Sequence, residues 1–214
     1  APSWPLAYVL AWLSVAEGNA FVSGNSVMPP WVRHEFPEAG RIVRQLRDER
    51  CGDSACPWCA EHHNPVRMLN RWFGYPGFRP VPAFEDGRPM QQATVETAMA
   101  GEDVLGILPT GTGKSLCYQI PALSRYLNAG ALTVVISPLV ALMADQVAGL
   151  RSRGVESCVA LNGLLSEPER ADVLERVRLG DVAILIVSPE QLRNPGFRKA
   201  VEQREVGAWV MDEA

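Results

Sequence analysis

Lysine is almost missing from this 214-residue chain: Lys114 and Lys199 are the only two, against 18 arginines. Basic charge is not in excess either, since the formal net charge is −4. That excludes the broad cationic surface by which many proteins coat nucleic acid. Any grip on phosphate must come from a local track or from parts of a larger assembly. Internal repeats and low-complexity tracts are lacking, which excludes solenoid architectures. Long apolar runs are lacking too. The stretch Leu6 to Val15 is shorter than the roughly 20 residues of a membrane-spanning helix, and it has neither the basic leader nor the cleavage site of a signal peptide. It is expected to form a buried or partner-facing helix.

What is present is an ordinary globular composition, 47% hydrophobic and 21% charged, and enough chain for one large domain or a domain with an appendage. From Gln91 onward, β-rich apolar runs alternate with helical stretches. The runs are Val104 to Leu108, Leu132 to Ile136, Cys158 to Leu161, Val182 to Val187 and Ala208 to Met211. Between them, Lys114 to Leu127, Val140 to Arg151, Glu167 to Leu179 and Pro195 to Gln203 are long enough for crossover helices. Five strands in a doubly wound parallel α/β sheet are expected. The first 86 residues differ, holding ten of the 17 prolines and five of the six tryptophans, and read as an irregular helical extension. Phe36 to Glu49 is an amphipathic helix candidate with Ile42, Val43 and Leu46 on one face. Arg41, Arg44, Arg47 and Arg50 form a stripe that is either a phosphate track or a solvated helix face.

Leu-Pro-Thr-Gly-Thr-Gly-Lys-Ser at Leu108 to Ser115 is a phosphate loop, placed between an expected strand and an expected helix. Gly111 and Gly113 let the loop that opens at Pro109 turn the backbone N–H groups of Thr110 to Ser115 toward phosphate oxygens, and the helix adds its positive end. Lys114 supplies a cation to the β/γ-phosphates, and the Ser115 hydroxyl is a ligand for Mg²⁺. A strict phosphate-loop pattern has glycine where Leu108 stands. The run Ala208 to Met211 ends in Asp212-Glu213-Ala214, an adjacent carboxylate pair suited to hold the metal (Asp212) and to orient or deprotonate the attacking water (Glu213).

These residues resemble the first motor domain of superfamily 2 helicases, and most closely the RecQ family. Thr110 to Leu123 is very like the RecQ sequence through and beyond the loop, where Leu108 is no anomaly, although Thr112 replaces a usual glycine. Ser137 to Val147 resembles the segment that contacts the DNA strand, which implies DNA contacts at Ser137, Pro138, Leu139 and Gln146. Ile186 to Leu192 resembles a later segment, with Gln191 replacing an arginine, and Asp212 to Ala214 the start of an Asp-Glu-Ala-His box. Arg88-Pro-Met-Gln91 stands where RecQ proteins read adenine, so Gln91 is expected on the adenine edge and Arg88 stacked on the base. Phe73 to Pro80 resembles the aromatic stretch before that motif, separated from it by an insertion at Val81 to Asp86; Tyr75 is either a stacking partner or loop packing. The resemblance implies a RecA-like fold over residues 87–214, ATP and Mg²⁺ as cofactors, and 3′–5′ unwinding of single-stranded or forked DNA. It also implies a second RecA-like domain supplying arginine fingers, with the present chain a fragment.

Cys51, Cys56, Cys59 and His62, followed at once by His63, supply soft ligands at a density that suits tetrahedral zinc. The cysteine spacing also matches the start of a plant-type iron–sulfur pattern, which needs a distant fourth cysteine, and a Cys-rich loop can be incidental. The RecQ zinc module lies after the motor domains, so the resemblance does not extend to this cluster. Cys117 and Cys158 are expected in the core. An RNA helicase, a translocase that does not separate strands, and a zinc-bearing adaptor remain alternatives to the DNA helicase. The extension loosely resembles that of RecQ-like helicases from bacterial DNA-modification and defence islands, which implies a cytoplasmic, bacterial setting.

Overall fold

The computed structural model describes residues 3–18 and 30–213; Ala214 lies outside them. Four strands form one parallel sheet: β1 (Leu132–Ile136), β2 (Cys158–Leu161), β3 (Ile184–Val187) and β4 (Val206–Met211), in the order β2-β3-β1-β4. Each is a short β-branched or aliphatic run whose alternate residues face opposite sides of the sheet. Leu132, Val134, Leu185 and Val187 pack on one side with Val177 and Phe197. Val135, Ile184 and Ile186 pack on the other with Leu123, Met143 and Leu150. A strand buried on both faces reads as a continuous apolar run, and β3 is fully buried along its length.

The crossover helices start and stop where their caps dictate. Helices α1 to α6 are Trp4–Gly18, Pro30–Glu35, Glu38–Val43, Pro57–His62, Pro65–Phe73 and Met90–Met99; α7 to α10 are Leu116–Ala129, Val140–Arg151, Glu167–Leu179 and Pro195–Glu202. In α9 a reciprocal capping box joins Ser166 and Glu169, and Gly180 closes the far end at φ +93°. In α10 the Asn194 side chain accepts from the Gly196 and Phe197 backbone. Among the described residues no helix is long and apolar enough to cross a membrane.

The expected strand at Val104 to Leu108 does not form. The segment makes no ladder, and Leu105 and Ile107 are 89% and 85% exposed. β-propensity stabilises a strand only when a neighbour takes up its N–H and C=O groups. The outer edge of β4, where Trp209 and Met211 are exposed, is likewise unpaired among the described residues.

The extension is mostly helical and docks on α7. Val9, Val32, Ala39 and Val43 form a small core against which Ala129 packs, while Met68 and Leu69 of α5 meet Val95 and Ile120. The expected Phe36 to Glu49 helix breaks into α3 and a π-helical turn, Arg44–Asp48, closed by Glu49 N–H to Arg44 O at 2.9 Å. The wider turn shifts the phase of the helix, so Leu46 is exposed while Val43 is buried. Three of the four stripe arginines are engaged within the protein, while Arg41 stays exposed beside Glu38 at 3.8 Å. Arg44 pairs with Glu205 at 2.7 Å, Arg47 covers the Trp58 ring at 4.5 Å, and Arg50 donates to His63 O at 2.9 Å.

Arg204, 3% exposed, donates to Val177 O at 2.7 Å, Gly130 O at 3.0 Å and Val182 O at 3.2 Å. It thereby satisfies carbonyls at the C-terminal ends of α7 and α9, where a cation is also favoured by the helix dipoles. Arg204→Met is expected to lower the unfolding free energy by about 3 kcal/mol, read as a reduced urea midpoint at constant slope. An unchanged midpoint would show that these carbonyls find other donors.

Candidate active site

The carboxylate pair leaves the C-terminal end of β4, and the phosphate loop, which follows no strand here, lies against it. Lys114 Nζ lies 3.6 Å from Glu213 Oε1. Asp212 N–H donates to Ile136 O at 2.9 Å, so the carboxylate pair follows β4 across the end of β1. Glu213 has φ +60°, a conformation costly for a side-chain-bearing residue and concentrated at functional sites. The loop turns through Gly111 at φ +76° and Gly113 at φ +78°. It enters α7 directly after Ser115, with Gln119 N–H donating to Ser115 O at 2.9 Å.

The carbonyls of the loop are held from outside. Gln91, 3% exposed, donates its amide to Thr112 O at 3.1 Å and Gly113 O at 2.9 Å. Arg79 donates to Gly111 O at 2.6 Å, and the Thr112 hydroxyl to Pro109 O at 2.6 Å. Gln91, expected to read adenine, therefore braces the loop with its amide. Arg79 was not singled out by the sequence; its one signal was its place in the aromatic stretch Phe73 to Pro80.

Beside the loop is a cavity of about 530 Å³, within the size range of small-molecule sites. Tyr75, Phe78, Arg79, Gln91, Gly113 and Arg153 are among its lining residues. Tyr75 thus faces the cavity, its hydroxyl 3.4 Å from an Arg153 guanidinium nitrogen. Arg88 is not in the lining: it pairs with Glu96 at 3.7 Å and lies over the Phe84 ring at 5.5 Å.

The segment expected at DNA divides in two. Pro138 and Leu139 are exposed, but Ser137 and Gln146 are buried. Gln146 accepts from the Tyr118 hydroxyl and donates to Asp212 Oδ2 at 2.9 Å, so α7, α8 and β4 are joined through one amide. Burial, followed by the Asp212 charge, pushes the Tyr118 hydroxyl pKa far up, and Tyr118 stays a proton donor to Gln146.

Cys51, Cys56 and Cys59 come together outside the crevice, their Sγ atoms within 4.8 Å of one another. His62 does not join them: its ring stacks on Trp58 at 3.6 Å between centroids. Burial lowers its pKa and favours the neutral ring. Burial pushes the Cys117 thiol up to about 11 and Cys158 up to about 12, and neither belongs to the triad. Cys158 is buried in the core, while Cys117 is only half-buried on α7, which leaves the iron–sulfur pattern without its fourth cysteine among the described residues.

Residues 88–214 match the family model described as DEAD/DEAH box helicase. The probable ATP-dependent DNA helicase RecS of Bacillus subtilis is 36% identical over 148 residues, covering 69% of this chain and 27% of that protein. The ATP-dependent DNA helicase RecQ of Haemophilus influenzae is 35% identical over 154 residues, 72% of this chain and 23% of that protein. The ATP-dependent DNA helicase Q4 of Mus musculus is 44% identical over 111 residues, 52% of this chain and 9% of that protein. The chain thus spans about a quarter or less of the length of these relatives.

Two substitutions probe the geometry. A Cβ on Gly113 would meet Gln91 Nε2 at 2.9 Å, at a φ that disfavours any side chain. Gly113→Ala is expected to weaken binding of a fluorescent ATP analogue about tenfold or more, and unaltered binding would remove the loop from the site. Gln146→Leu takes the hydrogen-bond donor from Asp212, and about 10- to 100-fold more Mg²⁺ should then be needed for half-maximal ATP turnover. An unchanged Mg²⁺ requirement would make the Tyr118–Gln146–Asp212 link purely structural.

Proposed function

The chain belongs to the DEAD/DEAH box helicases, and from that premise we propose that residues 87–214 are the ATP-binding motor unit of a RecQ-type DNA helicase, with residues 1–86 an appendage docked on it. The observation that carries the reading is the approach of Lys114 to Glu213 at 3.6 Å, which closes a phosphate loop against a strand-end carboxylate pair.

The residues fit ATP and Mg²⁺. The cradle has no room for a Cβ at Gly113, the adjoining cavity is of nucleoside size, and a hydroxyl and a carboxylate provide the hard oxygen ligands that Mg²⁺ prefers. Ser115 and Asp212 would hold the metal, which when bound neutralises charge on the phosphates. The N–H groups of Thr110 to Ser115 would bind phosphate oxygens, and Lys114 would exchange its Glu213 partner for the β/γ-phosphates. Glu213, released, would orient the attacking water and accept its proton. Tyr75 and Phe78 offer faces for the base, with Gln91 at the floor of the same cavity. The thiol triad takes no part in this chemistry.

The relatives are named as ATP-dependent DNA helicases. For this protein the same reading gives single-stranded or forked DNA as the partner, met in part by the exposed Pro138 and Leu139. It also gives a second RecA-like domain supplying arginine fingers, and a cytoplasmic setting. The work done by hydrolysis is then 3′–5′ translocation with strand separation.

In the intact protein, Lys114→Ala is expected to reduce DNA-stimulated ATP turnover at least about a hundredfold while leaving the melting temperature in place. Wild-type turnover in that variant would sink the site assignment. Stimulation by RNA and not by single-stranded DNA would transfer the motor to an RNA substrate. Residues 1–214 alone should hydrolyse ATP only weakly.

A further inference from the structure

Three thiols meet at a point the motor chemistry does not use. Cys51 and Cys59 Sγ are 3.5 Å apart, and the whole triad lies within 4.8 Å. Thiolates about 2.3 Å from a tetrahedral zinc ion are about 3.8 Å from one another, so the triangle already has ligand dimensions. The local backbone is organised around it. Asp53 caps the turn between the first two cysteines, with Ala55 N–H donating to its carboxylate at 2.8 Å and Cys56 N–H to its carbonyl at 3.2 Å. Cys56 is the N-cap of α4 and Pro57 its first residue.

A fourth ligand is at hand one helical turn beyond Cys59. His62 Nδ1 lies 3.2 Å from Trp58 O, and donation there leaves Nε2 as the nitrogen with a free lone pair. Metal-bound histidines commonly have this arrangement, with the second nitrogen on a backbone carbonyl. The ring rests on Trp58, and completing the tetrahedron requires it to swing toward the thiols.

The cluster is wired to the phosphate-loop helix. Ser124 of α7 donates to His62 O at 3.2 Å, and Asn128 of α7 reaches Asp48 at 3.4 Å. Trp58 Nε1 donates to Arg47 O at 3.0 Å. We infer that Cys51, Cys56 and Cys59, with His62 Nε2 as fourth ligand, bind a structural zinc ion that staples residues 44–63 to the back of α7. Binding releases the thiol protons and involves no redox change.

Metal content of the intact protein, purified without a histidine tag, tests this. By mass spectrometry Cys56→Ser should hold one zinc per chain fewer than the wild type, and Lys114→Ala as much as the wild type, so the result is independent of the ATPase reading. Cobalt(II) exchanged into the site should show thiolate-to-metal charge transfer and the strong visible bands of tetrahedral coordination. Cys56→Ser should lose the metal. His62→Gln should keep it with about 10- to 100-fold weaker affinity, and unchanged affinity would remove His62 from the ligand set. Chelation should speed limited proteolysis within residues 44–63. A metal-free wild type whose three thiols react freely with Ellman's reagent would overturn the proposal, as would a Cys51–Cys59 disulfide or iron with acid-labile sulfide.

Discussion

Peptide N–H groups can face an anion only if the carbonyls alternating with them are held elsewhere. In this protein that requirement is met by side chains from three directions: Arg79 on Gly111 O, Gln91 on Thr112 O and Gly113 O, and Thr112 on Pro109 O. An unbraced glycine turn would lose more backbone entropy on ordering than any other segment of its length. The braces meet that cost before a ligand arrives, which is what preorganisation means for an electrostatic site. They also explain why α6 and the Phe73 to Pro80 stretch pack where they do: their polar ends must reach the loop.

The opposite wall is built by the sheet. β4 runs beside β1 in parallel register, Ile136 opposite Met211, and the next peptide still bonds across the ladder through Asp212 N–H. Asp212 is therefore placed by strand pairing, and Glu213 by the left-handed turn that follows it. Gln146 then fixes the rotation of Asp212, and the half-buried Tyr118 fixes Gln146. Movement of α8 relative to β4 would be felt at the Asp212 carboxylate, a physical route between the exposed Pro138–Leu139 surface and the crevice where Lys114 meets Glu213.

Much of this was legible in the residues. The bounds of α8 and α9 coincide with those read from the sequence, and α9 carries a capping box and a closing glycine, which are local features. Strands β1 and β2 were also visible because a doubly buried strand is a short aliphatic run. Val104 to Leu108 has the same composition but no ladder partner, and composition cannot report a missing neighbour. The π-helical turn at Arg44–Asp48 escaped because one extra residue per turn leaves no mark in an apolar pattern. At the site, Lys114, Asp212 and Glu213 were readable from motif chemistry. The braces were not, since Arg79 and Gln91 act on partners 32 and 21 to 22 residues away. Gln146 was read as a DNA contact because a surface glutamine and an interior one look alike until the helix is rotated into place.

The open margin of β4 has a practical meaning. Its outward groups are unpaired among the described residues, its exposed side chains include Trp209 and Met211, and the exposed Leu105 and Ile107 add apolar surface of their own. A bare margin of this kind is a template on which any other extended chain, including a second copy, gains hydrogen bonds and sheds water at once. Among the described residues that margin is an adhesive seam.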